Sequence, residues 1–193
     1  MNNDLRRIAS SKELSEWKTI NDTIMGGSSE ATCQITPDGL LLKGILIEEN
    51  GGFVSCTSPF LSPALDLSEF HGIQLDVDGE GRTLKFAISC GDGFNRFSKF
   101  VGGGVRWVVE IQTKKLGITS VKIPFKDFRP TIRAKPIPIP LKFSPFSIVQ
   151  LQLLHSKFGT AGNLNSGFKA GNLNSGFKAG PFQILLCSIS AYI

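Results

Sequence analysis

The strongest constraint on the fold is a succession of short apolar runs, each cut off by a turn rich in glycine, aspartate or proline. LLLKGILIE (40–48) follows Pro37-Asp38-Gly39. After it come GGFVSCTS (51–58), GIQLDVDG (72–79), TLKFAISC (83–90), RFSKFV (96–101), VRWVVEIQ (105–112), TSVKIPF (119–125), FSIVQLQLL (146–154) and FQILLCSISAYI (182–193). Within GIQLDVDG, Ile73, Leu75 and Val77 alternate with Gln74, Asp76 and Asp78. A period of two sends successive side chains to opposite faces, so this is a strand with one buried and one wet face. Asp-Gly-Glu-Gly, Gly-Asp-Gly and Gly-Gly-Gly separate several of the runs. They read as hairpin turns, because no GxGxxG or GxxxxGK[ST] phosphate-loop pattern is present. The sequence therefore predicts an all-β protein, an antiparallel β-sandwich of jelly-roll type. Its first and last strands are expected close together. The final run is too apolar to stay unpaired, so Phe182, Ile184, Leu186 and Ile189 are expected to be buried in a sheet.

The breaks in the pattern set the domain organisation. Pro130, Pro136, Pro138, Pro140 and Pro145 crowd one stretch. Proline has no N–H for a sheet ladder, so residues 129–145 are expected as an extended, polyproline-like crossing. The segment GNLNSGFKA occurs at 162–170 and again, unchanged, at 171–179. Such a unit is too short for a solenoid. It reads as a tandem duplication in a surface loop, where doubling the length costs only about 0.6 kcal/mol. Residues 1–14 read as an N-terminal extension, and residues 1–16 read as holding a short helix capped by Ser11, with Glu13 and Glu16 near its start. Residues 15–193 then form a single sandwich domain, which a chain of 193 residues can support.

Charge narrows the partners. The net charge is +5, and between positions 114 and 142 Lys114, Lys115, Lys122, Lys126, Arg129, Arg133, Lys135 and Lys142 face Asp127 alone. Such a field suits an acidic protein face, an anionic membrane surface or nucleic acid. Phe97 and Phe100 lie three apart and would leave a strand on opposite faces, which makes a poor base-stacking platform. Nucleic acid is therefore the weakest of the three. The strip carrying Lys126, Arg129, Arg133 and Lys135 is a candidate contact surface, since its prolines pre-order the chain.

The parts of a catalytic or metal site are scarce. Cys33, Cys56, Cys90 and Cys187 form no CxxC and lack zinc-ligand spacing. They read as buried thiols in a reducing compartment, with one disulfide left open. His71 sits in a turn, His155 ends an apolar run, and GxSxG is missing. Asp76, Asp78 and Glu80 share one strand face and its turn, a pattern that the wet face of any antiparallel strand also gives. No catalytic, cofactor or metal residue is assigned, and the chain is expected not to be an enzyme. The first residues have no apolar core, so they are no secretory signal, and no run is long enough for a membrane span. The expectation is a protein of the cytoplasm or plastid stroma, peripheral to a membrane.

Two motifs remain: WKTINDTIMGGS (17–28) and ENGGFVS (49–55). Both join Asn or Asp to a glycine pair between apolar flanks. Glycine allows positive φ and the short polar side chains stabilise turns, so the two read as one constructed surface. Asn21, Asp22, Met25, Asn50 and Phe53 are its candidate contact residues. Together with Asp66-Leu67-Ser68, Gly72-Ile73, the turn Asp78-Gly79-Glu80-Gly81-Arg82, Ile123-Pro124-Phe125, Phe128, Pro130 and the closing Gly180-Pro181-Phe182 with Ile189 and Tyr192, these motifs resemble the complex I intermediate-associated protein family, especially its cyanobacterial and plastid members. The order is preserved over residues 15–193. The chain departs from the family at Thr57, at Leu84 and at Ala134, where a basic residue, an aromatic and a glycine are usual. The resemblance implies a galactose-binding-like jelly roll. It also implies a non-catalytic role in assembling a membrane electron-transfer complex, with subunits or assembly intermediates as partners. The competing expectation is a carbohydrate-binding module, although only Trp17, Trp107 and Tyr192 could serve as sugar platforms beyond phenylalanine.

Overall fold

The structure is a computed structural model of the chain and describes residues 5–91, 104–132, 135–137, 141–158 and 177–193. Among these residues, two antiparallel sheets enclose one apolar core. Sheet A has the order β3 (Glu30–Thr36), β4 (Gly39–Leu46), β13 (Gly180–Tyr192), β6 (Gly72–Asp78), β9 (Thr119–Pro124), with β1 (Leu5–Ala9) also paired to β13. Sheet B runs β11 (Lys135–Pro136), β10 (Arg129–Ile132), β8 (Arg106–Gln112), β7 (Thr83–Cys90), β12 (Ile148–Ser156), β5 (Phe53–Thr57), β2 (Lys18–Asn21). This is the sandwich that the alternating runs predict.

The core follows from the alternation. Ile73, Leu75 and Val77 of β6 are fully buried, and Leu84, Phe86 and Ile88 of β7 meet them from the other sheet. In β13, Phe182, Ile184 and Leu186 point inward, then Ile189 and Ala191 do. The phase changes because the pairing with β6 shifts between Leu186 and Ser188. A bulge there lets one strand keep two differently phased apolar sets on the same side.

Three sequence expectations need adjustment. The N-terminal helix α1 (Ser11–Leu14) starts one residue earlier than expected, with Ser10 at its N-cap. Glu13 reaches back, accepting from the Ser10 N–H at 2.9 Å and from its hydroxyl at 2.6 Å. These bonds hold the Glu13 carboxyl down at about 2. Residues within 1–14 also take part in the sandwich: β1 adds to β13, and Ala9 and Leu14 are buried. The proline-rich stretch supplies two short strands at the margin of sheet B instead of a free crossing. Pro130 lies opposite Trp107, and its carbonyl accepts from the Ile137 N–H at 3.0 Å; the position of its missing N–H therefore faces β11, and no ladder bond to β8 is lost. The expected strand at 96–101, the first copy of the repeat and most of the second, and Arg133 lie outside the described residues.

Candidate functional site

The two glycine motifs meet on one buried carboxylate. After β2 the chain makes a 3-10 turn, Asp22–Met25, which ends at Gly26 with φ 86°. The second motif brings Gly52, at φ 103°, to the start of β5. Each pair thus has one glycine at positive φ, as their composition predicts. Asp22 lies between the motifs and is completely buried. Its Oδ1 accepts from the Ser29 N–H at 2.8 Å. Its Oδ2 accepts from the Ser29 hydroxyl at 2.7 Å, the Gly52 N–H at 2.6 Å and the Phe53 N–H at 3.3 Å. Ser29 extends the hub, its hydroxyl oxygen accepting from the Ile47 N–H at 3.0 Å.

The other glycine of each pair is required by space. A Cβ at Gly27 would stand 2.3 Å from the Asp22 carboxyl carbon, and one at Gly51 would stand 2.2 Å from Oδ2. Burial opposes ionisation of Asp22, but the donors from Gly52, Ser29 and Phe53 outweigh it and hold the carboxyl below its ordinary value. A carboxylate that accepts several backbone N–H bonds is the stable form of such a site.

Asp22, one of the expected contact residues, does not reach the surface; its carboxylate braces the turn from within. Asn21 is half-buried and its Nδ2 donates to the Ala31 carbonyl at 3.3 Å. Phe53 is half-buried, and Asn50 is exposed with φ 55°. What the hub holds out to solvent is the apolar pair Ile24, 71% exposed, and Met25, 74% exposed. Met25 is among the contact residues expected from the sequence, and Ile24 beside it is not. The signal was there, because two adjacent apolar residues in a single short turn cannot both face inward.

The cationic strip is a separate place. Lys126 lies in the 3-10 turn Phe125–Asp127, Arg129 on β10 and Lys135 on β11, all exposed. The Arg129 Nη1 donates to the Lys126 carbonyl at 2.8 Å. β11 and β2 are the two margins of the seven-stranded sheet. At the usual spacing of neighbouring strands, the strip and the hub are roughly 25–30 Å apart. The structure therefore does not join the two sets of candidate residues into one patch.

The outward face of sheet B carries a polar row that the alternation hides. Arg106 Nη1 donates to Gln152 Oε1 at 2.8 Å, Gln152 Nε2 donates to the Ser55 hydroxyl at 2.9 Å, and the Ser55 hydroxyl donates to the Ile20 carbonyl at 3.3 Å. Lys85, opposite Glu110, is buried there, and desolvation lowers its pKa to about 8. On sheet A, Asp76 accepts from Ser120 and from Ser188. Among the described residues no three His, Cys, Asp or Glu side chains cluster as a metal site, and no helix is long and apolar enough to cross a membrane.

The sequence model of the complex I intermediate-associated protein 30 family matches residues 6–186. The chain belongs to this family. The motifs that converge on Asp22 lie inside the matched span. No curated protein matches the chain in sequence. The fold is similar to the family 11 carbohydrate-binding module from Clostridium thermocellum, solved with a β-1,3-1,4-mixed-linked tetrasaccharide. The TM-score is 0.62 at 17% identity, over 97% of this chain and 95% of that one. The same module from the cellulosomal cellulase Lic26A-Cel5E of that organism gives 0.62 at 17% identity, over 97% and 94%. An agarase gives 0.57 at 10% identity, over 97% of this chain and 24% of the other. These likenesses establish the jelly-roll fold.

Proposed function

We propose that the protein is a non-catalytic assembly factor that holds subunits or assembly intermediates of a membrane electron-transfer complex by protein–protein contact. Family membership ties it to complex I assembly. The finer reading is a respiratory or photosynthetic NADH dehydrogenase-like complex or a photosystem, served from the cytoplasm or plastid stroma beside the membrane. The observation that carries the reading is the Asp22 hub, where both diagnostic motifs are spent on fixing one turn that exposes Ile24 and Met25. Apolar side chains on a turn already fixed lose little freedom on docking, which is how a small patch gains affinity. The cationic strip serves a second contact, an acidic protein face or an anionic membrane surface. Its distance from the hub lets one molecule hold a partner at one edge and a charged surface at the other. The test is affinity purification of the tagged protein and of an Ile24→Asp, Met25→Asp variant with the same melting temperature. The wild type should recover subunits of such a complex and the variant should not. Wild-type protein that recovers none of them overturns the proposal.

A carbohydrate-binding role is the second reading, favoured by the likeness to a module solved with a tetrasaccharide and by the polar row Arg106–Gln152–Ser55. Against it, Trp17, Trp107 and Tyr192, the only Trp and Tyr residues of the chain, are all buried, so none offers a flat exposed platform. Calorimetric titration with mixed-linked β-glucan oligosaccharides decides, and heat of binding at millimolar ligand would favour the sugar reading.

A further inference from the structure

One end of the sandwich joins exposed phenylalanines to exposed cations. β12 begins at this end with Ile148 and runs to Ser156 at the other end, opposite Phe53, where the hub lies. The loop after β5 is laced to the start of β12 by backbone bonds. The Ser58 N–H donates to the Leu151 carbonyl at 2.8 Å, Leu61 to Val149 at 2.7 Å, Leu65 to Ile148 at 2.8 Å and Leu67 to Pro145 at 2.8 Å. Leu61 and Leu65 are half-buried and Leu67 is buried, so this loop turns its leucines inward. Its one phenylalanine before them, Phe60, stays 67% exposed, and Phe146, in the 3-10 turn Pro145–Ser147, is 57% exposed. Both rings stand on backbone that is already fixed.

Phe143 ties the cationic strip to the same end. Its ring packs against Phe125 at 5.0 Å and Phe128 at 5.8 Å between centroids, and edge-on to Trp107 at 5.4 Å. Phe143 precedes Pro145 by two residues, so the turn Phe125–Asp127 lies beside the segment that carries Phe146. Lys126, Arg129 and Lys142 adjoin the packed rings in sequence and are exposed, as is Lys135 on β11. Arg129 reaches back to the Lys126 carbonyl at 2.8 Å. Asp127, Asp66 and Glu69 are the carboxylates among the described residues of these segments. Asp66 accepts from the Ser68 N–H at 2.9 Å and its hydroxyl at 2.7 Å, and Arg6, 5.9 Å over the Phe70 ring, adds a further cation.

The geometry points to this end as a docking surface for an anionic lipid bilayer, in which Phe60 and Phe146 enter the headgroup–acyl boundary and Lys126, Arg129, Lys135 and Lys142 meet the headgroups. The inference rests on the second contact proposed for the strip, and it chooses the membrane over an acidic protein face. Shape decides the choice. The rings project from turns at the tip of the sandwich, and a protein would need matching pockets within an interface of about 1,200–2,000 Å². Lipid needs no matching shape and takes up apolar side chains one by one. Anionic headgroups attract cations only within about a Debye length, which favours charges placed at the same tip. Docked in this way, the far end with Ile24 and Met25 stays in water, open to a partner.

The test floats the whole protein with vesicles of an equal mixture of phosphatidylcholine and phosphatidylglycerol, and with vesicles of phosphatidylcholine alone. Binding should favour the anionic vesicles and fall as salt rises. Phe60→Ala with Phe146→Ala should weaken it about tenfold and leave the salt dependence in place. Lys126→Glu with Arg129→Glu should remove the preference for anionic vesicles. All four positions are exposed, so these variants should keep the wild-type melting temperature. Phe146→Trp should shift its emission to shorter wavelength on binding, a change that reports the new ring because Trp17 and Trp107 are buried. Ile24→Asp with Met25→Asp should float like the wild type, so a failure of partner recovery and a failure of membrane docking are read separately. Wild-type protein that stays off anionic vesicles at low salt, or a phenylalanine double variant that binds as well as the wild type, would overturn the proposal. So would a strip variant that loses complex subunits while the wild type ignores the vesicles, since the strip would then serve an acidic protein face.

Discussion

Asp22→Asn tests the hub with the smallest change of shape. The amide keeps one oxygen and replaces the other by an NH2 group. If the oxygen stays on the Ser29 N–H, the NH2 faces the N–H groups of Gly52 and Phe53, donor against donor. The bond from Gly52 at 2.6 Å is the shorter of these two, and Gly52 is buried, so water cannot replace the lost acceptor. A hydrogen bond to a charged group contributes about 1.5–3 kcal/mol, and a buried donor left alone costs about 1–3 kcal/mol. The Ser29 hydroxyl can rotate to accept from the new amide, so it recovers part of the loss. The opposite amide orientation strands the Ser29 N–H in the same way. Asp22→Asn should therefore destabilise by about 3 kcal/mol, read as a lower urea midpoint at pH 7 with an unchanged slope. The pH dependence supplies an independent sign. The folded Asp22 carboxyl lies below its ordinary value, so its contribution is complete above the unfolded pKa of about 3.9 and is lost as pH falls through the folded value. The gap between wild type and Asp22→Asn should be constant near neutrality and narrow only below about pH 4. A loss under about 1 kcal/mol, or a gap that stays constant into acid, would refute the account of the hub given above.

Three further outcomes follow from the same structure. Gly51→Ala should cost about 2–3 kcal/mol, because its Cβ meets the Asp22 carboxylate, and should exceed Gly26→Ala, where nothing lies within 4 Å and only the positive φ resists; urea melts give both values. Leu14→Ala should cost about 2–4 kcal/mol in the same assay, since the side chain is fully buried; a neutral result would return residues 1–14 to the status of a dispensable extension. Reversing Lys126, Arg129 and Arg133 to Glu should weaken binding to anionic vesicles or an acidic partner and flatten its salt dependence, while unchanged binding at low salt would leave the strip without a docking role.

The sequence showed the sandwich clearly because burial on one face of a strand imposes a period of two. Ile73, Leu75 and Val77 carry that period without interruption, and all three are buried. β1 was harder to see. LRRIA shows no alternation: Leu5, Arg6 and Arg7 are all exposed and only Ala9 is buried, since a marginal strand that faces mostly water needs few residues inward. The convergence of the two motifs was foreseeable from their shared composition, but the burial of Asp22 was not. A capping aspartate on the surface and a buried aspartate that ties two loops look alike until the donors around them are placed. The buried Lys85 escaped for a similar reason, because the pattern of TLKFAISC puts it on the outward face without showing how little water reaches it.

β13 has a consequence for how the molecule is made. It is an interior strand of sheet A, flanked by β4 and β6 and extended by β1, yet it comes from the last stretch of the sequence. During synthesis β1, β4 and β6 emerge from the ribosome first and have no central partner to pair with. Their open edges stay unpaired until residues 180–192 have been translated. A message truncated before that point would release half a sandwich with sticky edges, a substrate for chaperones and proteases and not a smaller working protein.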